Sequence, residues 1–278
     1  ERRRLRRWRR LRDGRRRRGC AKLRAARTTK LRAGRDRTVA TRAGGLSHRR
    51  HIRPLKVAAC RFSPGAPRSQ SQGEIMSSIT LYGSSDSGNC LKPKWVAQKL
   101  GISVHWIETS SFDGSTRTPE FLALNPAGQV PLAVLADGRK LAQSNAIMLH
   151  LAEGSAFVPK DSYDRARMFE WLFWEQYSHE PAIAVRIARK YFLKQRDEDL
   201  DPALLTKGNA ALVRMELQLR QTPYLVGDAM TLADVALVAY TRYAHRGGVD
   251  LREYPAVRDW VARVEGGLGI ETALPTEG

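Results

Sequence analysis

The stretch Asn125-Pro126-Ala127-Gly128-Gln129-Val130-Pro131 constrains this chain more than any other. It leads a Pro/Gly turn into an apolar, β-prone run, Leu132 to Leu135, through a proline at the strand edge. A proline there is a candidate for a cis peptide, and a cis Val130-Pro131 bond would turn the Val130 N–H and C=O sideways to pair with an extended peptide. Asp137-Gly138 reads as a two-residue hairpin turn, so Arg139 to Gln143 returns as the neighbouring strand. At Gln143-Ser144 that strand passes into a helix carrying Ile147, Leu149 and Leu151, which sets Ser144 at or near the N-cap. Free N–H groups and the positive end of the helix dipole make a seat for a carboxylate. A peptide-like ligand with its own carboxylate would be held at both ends.

Taken whole, the 278 residues carry a net charge of +20, the balance of a nucleic-acid binder. The distribution overturns that reading. Residues 1–75 hold 26 Lys and Arg against 4 acids, whereas residues 76–278 hold 22 against 24 and are nearly neutral. Runs such as Arg15-Arg16-Arg17-Arg18 repel themselves, and the segment has too few apolar positions to fold, so residues 1–75 are expected to be a disordered basic extension. Three readings of it stay open: an arm that touches nucleic-acid phosphates, an organellar transit segment, or upstream sequence joined to a protein that natively begins at Met76. Nucleic-acid contact is expected only through this extension.

Of the three cysteines only Cys90 lies beyond the extension, which leaves the body neither a disulfide framework nor a cysteine zinc site and fits a reducing compartment. No apolar run approaches the roughly 18 to 20 residues that span a bilayer, so a cytoplasmic protein without membrane contact is expected.

Two domains follow from the change of period. Residues 76–155 read as strand, helix, strand, helix, hairpin, helix: Ile79 to Tyr82, about Asn89 to Leu100 ended by Gly101, Val104 to Glu108, Pro119 to Leu124, the Pro131 hairpin and the Ser144 helix. The first three form a β–α–β crossover, which makes its strands parallel. Residues 160–278 are helical only. A long helix from Asp161 to about Lys190, with a bend expected at Pro181, is followed by Ala203 to Leu219, by a helix opened at Thr231, and by one from Tyr254-Pro255 to Val264. Thr231 and Asp234 stand in capping-box spacing, which marks Asp234 as structural.

These motifs, with Gly227-x-x-x-Thr231-x-Ala233-Asp234, make the chain similar to the cytosolic glutathione S-transferases of bacterial, serine-type active-site turn over about residues 78–270. The resemblance implies an α+β protein, a thioredoxin-like βαβαββα domain with a cis proline followed by an all-α domain. It implies glutathione as co-substrate, conjugation of its thiolate to small hydrophobic electrophiles, and a homodimer. Carried over, Val130 beside Pro131 pairs with the cysteinyl unit, Gln129 approaches the glycyl end, and Gln143 with Ser144 holds the γ-glutamyl group. Ser87, in Ser87-Gly88-Asn89, matches the serine that stabilises the thiolate, with Asn89 as a second donor at the helix start. Tyr82, inside the strand, is read as structural.

Trp174 and Tyr177, at spacing three with Trp171, are the candidates for stacking on the electrophile. His179 beside Glu180 is read as a surface histidine, with a proton shuttle as the other possibility. Arg117 and Arg186 are possible carboxylate partners with no motif behind them. Two alternatives compete with conjugation. Cys90, at the first turn of a helix, could form a mixed disulfide with glutathione in a thiol transferase or reductase, against the plainer reading of a small buried packing residue. The fold could also serve as a non-catalytic interaction module.

Overall fold

Strand β1 (Ile79–Gly83) turns Ile79, Leu81 and Gly83 inward and leaves Thr80 and Tyr82 half-buried, the period-two pattern of a strand with one covered face. The computed structural model describes residues 78–273, so the basic extension assigned to residues 1–75 lies outside the described residues. Strand β2 (Val104–Glu108) pairs with β1 in parallel, and helix α1 (Gly88–Lys99) makes the crossover. Helix α2 (Pro119–Leu124) opens where Thr118 accepts the Phe121 N–H, with Pro119 in the first turn, where its missing N–H costs nothing. Strand β3 (Leu132–Val134) runs antiparallel to β1 and β4 (Lys140–Ala142) antiparallel to β3, so the sheet order is β2-β1-β3-β4. Helix α3 (Ser144–Leu151) completes the expected βαβαββα order, and Val130-Pro131 is cis.

The hairpin corrects the sequence reading in one detail. The Leu135 N–H donates to the Arg139 carbonyl at 2.8 Å, and the Gly138 N–H returns to the Leu135 carbonyl at 2.9 Å, so the loop holds three residues, Ala136 to Gly138, rather than two. Gly138 takes a φ of 81°, and the Asp137 carboxylate accepts the Arg139 N–H at 3.0 Å. Together they stabilise the longer loop.

From Ser162 the chain stays helical to Phe192. Helix α4 (Ser162–Trp174) runs into a π-helical turn, Glu175–His179, then helix α5 (Glu180–Ile187) and a second π-turn, Ala188–Phe192. Pro181 explains the first wide turn: it has no N–H for the carbonyl four residues back, and its ring would collide with that carbonyl. Widening the turn relieves both. Helices α6 (Pro202–Leu219), α7 (Leu232–Thr241) and α8 (Pro255–Leu268) follow.

Helix α7 is apolar on every side and is buried accordingly, with Val235, Ala236, Leu237 and Val238 fully enclosed. Its N-terminal capping box is formed as expected. Helix α1 packs on the sheet, on α3 and on α7, so Leu81, Val96 and Ile147 share one continuous core with Trp171, Leu237 and Trp260. Among the described residues no helix is long and apolar enough to cross a membrane.

Candidate active site

A cleft of about 630 Å³ opens between the Pro131 edge of the sheet and the helical domain. Ser87, Asn89, Gln129, Val130, Pro131, Gln143 and Ser144 all line it, although they come from three separated stretches of chain. Asn125 shapes the first wall. Its Nδ2 donates to the Gln129 carbonyl at 2.7 Å while its Oδ1 accepts the Ala127 N–H at 3.2 Å, clamping the turn from within. Gln143, exposed at the rim, takes a φ of 74°, a left-handed strain uncommon outside glycine that concentrates at binding sites.

At the start of α1, Ser87 occupies the N-cap position without capping through its side chain. Its hydroxyl neighbours the Cys90 thiol and the Tyr240 hydroxyl. Tyr240, on α7, accepts the Asn89 N–H at 3.2 Å, and burial pushes its phenol far above the usual tyrosine value, so it stays protonated. Gly88 makes this approach possible. A Cβ there would fall 2.9 Å from the Tyr240 ring and 3.0 Å from the Ala239 carbonyl. Cys90 is fully buried, and the loss of hydration raises its thiol. That is the packing cysteine of the plainer reading, and burial works against its becoming a thiolate.

Beneath Asn89 runs a buried polar network. Lys92, fully enclosed, donates to Asn89 Oδ1 at 2.8 Å and to Glu175 Oε1 at 2.8 Å. Ser144 Oγ donates to the same Asn89 oxygen at 3.2 Å. Because Lys92 has no acceptor, the Asn89 carbonyl must face it, which leaves the Asn89 amide nitrogen as the donor on the other side. Glu180 borders the cleft within hydrogen-bonding reach of Asn89, and burial raises its carboxyl above the usual range. Gln176 holds both acids, donating to Glu175 at 2.7 Å and to Glu180 at 2.9 Å.

The helical wall differs from the sequence reading. Trp174 and Tyr177 do not line the cleft. Trp174 lies under the Arg214 guanidinium and edge-on to Trp171, and Tyr177 is 87% exposed on the outer surface. The cleft face is instead Gln176, Glu180, Ala184 and Ala188, recurring every four residues, joined by Phe192, Tyr243 and Arg246. Arg117 lines the cleft, whereas Arg186 turns to the Gly247 carbonyl and Asp197.

His179 is not at the surface either, since the wide turn directs it inward to full burial. The Thr241 hydroxyl is committed to the Leu237 carbonyl at 2.8 Å, so His179 Nε2 carries the proton and donates to Thr241 at 2.9 Å, leaving Nδ1 bare. Burial lowers the imidazole to about 4. Between pH 6.5 and 4 the unfolded chain therefore binds a proton that the folded protein refuses. Stability should fall as pH drops through that window, by up to roughly 3 kcal/mol from this residue. Glu180 and Asp234, both raised by burial, act with the opposite sign. Denaturant unfolding of His179→Gln beside the parent at pH 4, 5 and 6.5 isolates the effect. The difference between the two should shrink as pH falls, and a constant difference would refute the assignment.

A model of the glutathione S-transferase N-terminal domain matches residues 77–153, and one of the C-terminal domain matches residues 171–266. The crystal structure of a glutathione S-transferase from Xanthobacter autotrophicus Py2 is 45% identical, with a TM-score of 0.66 over 71% of this chain and 97% of that one. The structure of Ure2p in complex with S-hexylglutathione is 25% identical, with a TM-score of 0.63 over 68% of this chain and 94% of that one. Protein URE2 of Eremothecium gossypii is 27% identical over 231 residues, 68% of this chain. The chain spans 65% of the length of that relative.

Proposed function

Because the chain belongs to the glutathione S-transferase family, we propose that its cleft binds glutathione as co-substrate and presents the sulfur, as thiolate, to small hydrophobic electrophiles. The observation that carries this reading is the convergence on one cleft of the residues expected to hold the tripeptide and the one expected to face its sulfur. Val130 pairs with the cysteinyl backbone, Gln129 meets the glycyl end, and Gln143 with Ser144 holds the γ-glutamyl group at the start of α3. The Ser87 hydroxyl donates to the sulfur. The Asn89 amide, held by Lys92 with its nitrogen outward, is the second donor. Both favour the anion over the thiol, and the proton leaves to solvent.

Glutathione titration by calorimetry on the full chain, with conjugation to 1-chloro-2,4-dinitrobenzene assayed in parallel, tests the reading. Ser87→Ala should raise the pKa of bound glutathione by about one unit and lower kcat/KM near neutral pH about tenfold. An unchanged pH profile would remove Ser87 from the mechanism.

A homodimer and a cytoplasmic location complete the reading. Exposed Phe173 and Tyr177, with Val213 and Leu217 on neighbouring α6, supply apolar surface of the kind a subunit interface covers. Arg214 on α6 bonds Glu170 on α4 at 2.7 Å, which sets these helices side by side. The similarity to URE2 proteins, one of them described as a transcriptional regulator, favours a second reading, a non-catalytic interaction module. Glutathione binding without conjugation would support it.

A further inference from the structure

Among the described residues two arginines line the cleft, Arg117, which donates to the Ala127 carbonyl, and Arg246. Arg246, in the short 3₁₀ turn Ala244–Gly247, lines the cleft beside Tyr243. The cations around it are paired: Arg186 with Asp197 at 2.8 Å, Lys190 with the same carboxylate at 2.5 Å, and Arg242 with Glu265 at 2.8 Å. None of the ion pairs among the described residues includes Arg246. Aromatic rings hold it instead, with its guanidinium carbon 4.1 Å from the Tyr243 centroid and 4.6 Å from that of Tyr191. Cation–π contact restrains the group without cancelling its charge, so it remains ready for a carboxylate, which the guanidinium fork can grip with two hydrogen bonds.

Aromatic surface lies on the same wall. Phe112, 70% exposed in the loop after β2, stacks on Phe192 at 6.2 Å and 26°, and both line the cleft. We infer that the electrophile site selects aromatic substrates bearing an anionic group, with the stacked Phe112–Phe192 pair offering an apolar surface to the ring and Arg246 receiving the carboxylate. This rests on the transferase reading above and specifies its second substrate. For a nitro-activated aryl chloride the step balances within the two substrates. The glutathione sulfur forms a bond to the carbon bearing chlorine, the C–Cl bond breaks with its electron pair leaving as chloride, and the thiol proton goes to solvent.

The test compares 4-chloro-3-nitrobenzoate with neutral 1-chloro-2,4-dinitrobenzene on the full chain, reading the ratio of their kcat/KM values so that intrinsic reactivity cancels between enzyme variants. Arg246→Met should lower the acid-to-neutral ratio about tenfold, the size expected for losing a charge-assisted hydrogen bond. Arg246→Lys should restore part of it, and added salt should erode the preference of the parent only. An unchanged ratio in Arg246→Met with both substrates turned over would overturn this proposal while leaving the transferase reading intact. A raised KM for glutathione with no change in ratio would assign Arg246 to the tripeptide and likewise overturn it. Failure of the parent to conjugate either electrophile would sink both.

Discussion

Lys92→Met should cost the protein about 3 to 5 kcal/mol of folding stability, among the largest losses available to a single side chain. Both members of the Lys92–Glu175 pair are fully buried, and their 2.8 Å contact joins α1 to the π-turn of the helical domain. Without the ammonium, the Glu175 carboxylate keeps only the Asn145 amide at 3.3 Å and the Gln176 amide at 2.7 Å. Two neutral donors do not offset a charge removed from water. A typical domain is stable by only about 5 to 15 kcal/mol, so the variant would stand near the edge of folding. The asymmetry of the effect makes it diagnostic. The double variant Lys92→Met, Glu175→Met replaces the pair with side chains of similar length and should recover most of the loss. Urea unfolding at constant m-value reads both changes. A single variant that loses under 1 kcal/mol, or a double variant no better than the single one, would show that burial of the charge is not what makes the pair matter. Lys92→Met should also lower conjugation, since Asn89 loses the partner that turns its amide nitrogen toward the cleft.

Asp234→Ala should cost roughly 4 kcal/mol, because several buried donors lose one acceptor together. Oδ1 accepts the Leu225 N–H at 2.9 Å and Trp260 Nε1 at 2.8 Å, and Oδ2 accepts the Thr231 N–H at 2.8 Å and the Thr231 hydroxyl at 3.2 Å. One carboxylate thus ties the turn before α7 to α7 itself and to α8. Burial works against the ionised form and raises its pKa, and these bonds oppose that shift. Asp234→Asn keeps the shape but turns an NH₂ group toward groups that also donate, so it should lose about half as much. A loss under 1 kcal/mol for the alanine variant in thermal and denaturant unfolding would argue that solvent reaches these donors.

The conjugation proposed above needs a thiolate held at one point, to which residues of two domains would contribute. Ser87 and Asn89 come from the sheet domain, yet Tyr240 on α7 receives the Asn89 N–H, and Glu175 on the π-turn anchors the lysine that orients the Asn89 side chain. On that proposal, a change in how the domains pack would reach the sulfur through these bonds. The widened turn at Glu175–His179 thus sets the acid beneath Lys92 and Asn89 and sends His179 into the core.

Local signals in the sequence determined the sheet domain. Thr118-Pro119 opens α2, Gly101 with its φ of 70° follows α1, and the run at Val104–Glu108 became β2, each from chemistry within a few residues. The Pro131 wall of the cleft was legible for the same reason, because the Asn125–Pro131 turn and the Gln143-Ser144 helix start are short-range devices that carry their geometry with them. Tertiary structure alone decided the rest. Lys92 meets Glu175 across 83 positions and Asn89 meets Tyr240 across 151, separations at which residue type says nothing about proximity. On the long helix, spacing three made Trp174 and Tyr177 look like one face toward the cleft, but Trp174, before the π-turn, packs against Arg214 and Trp171, and the turn shifts the phase of the residues that follow, so only packing reveals which side faces inward.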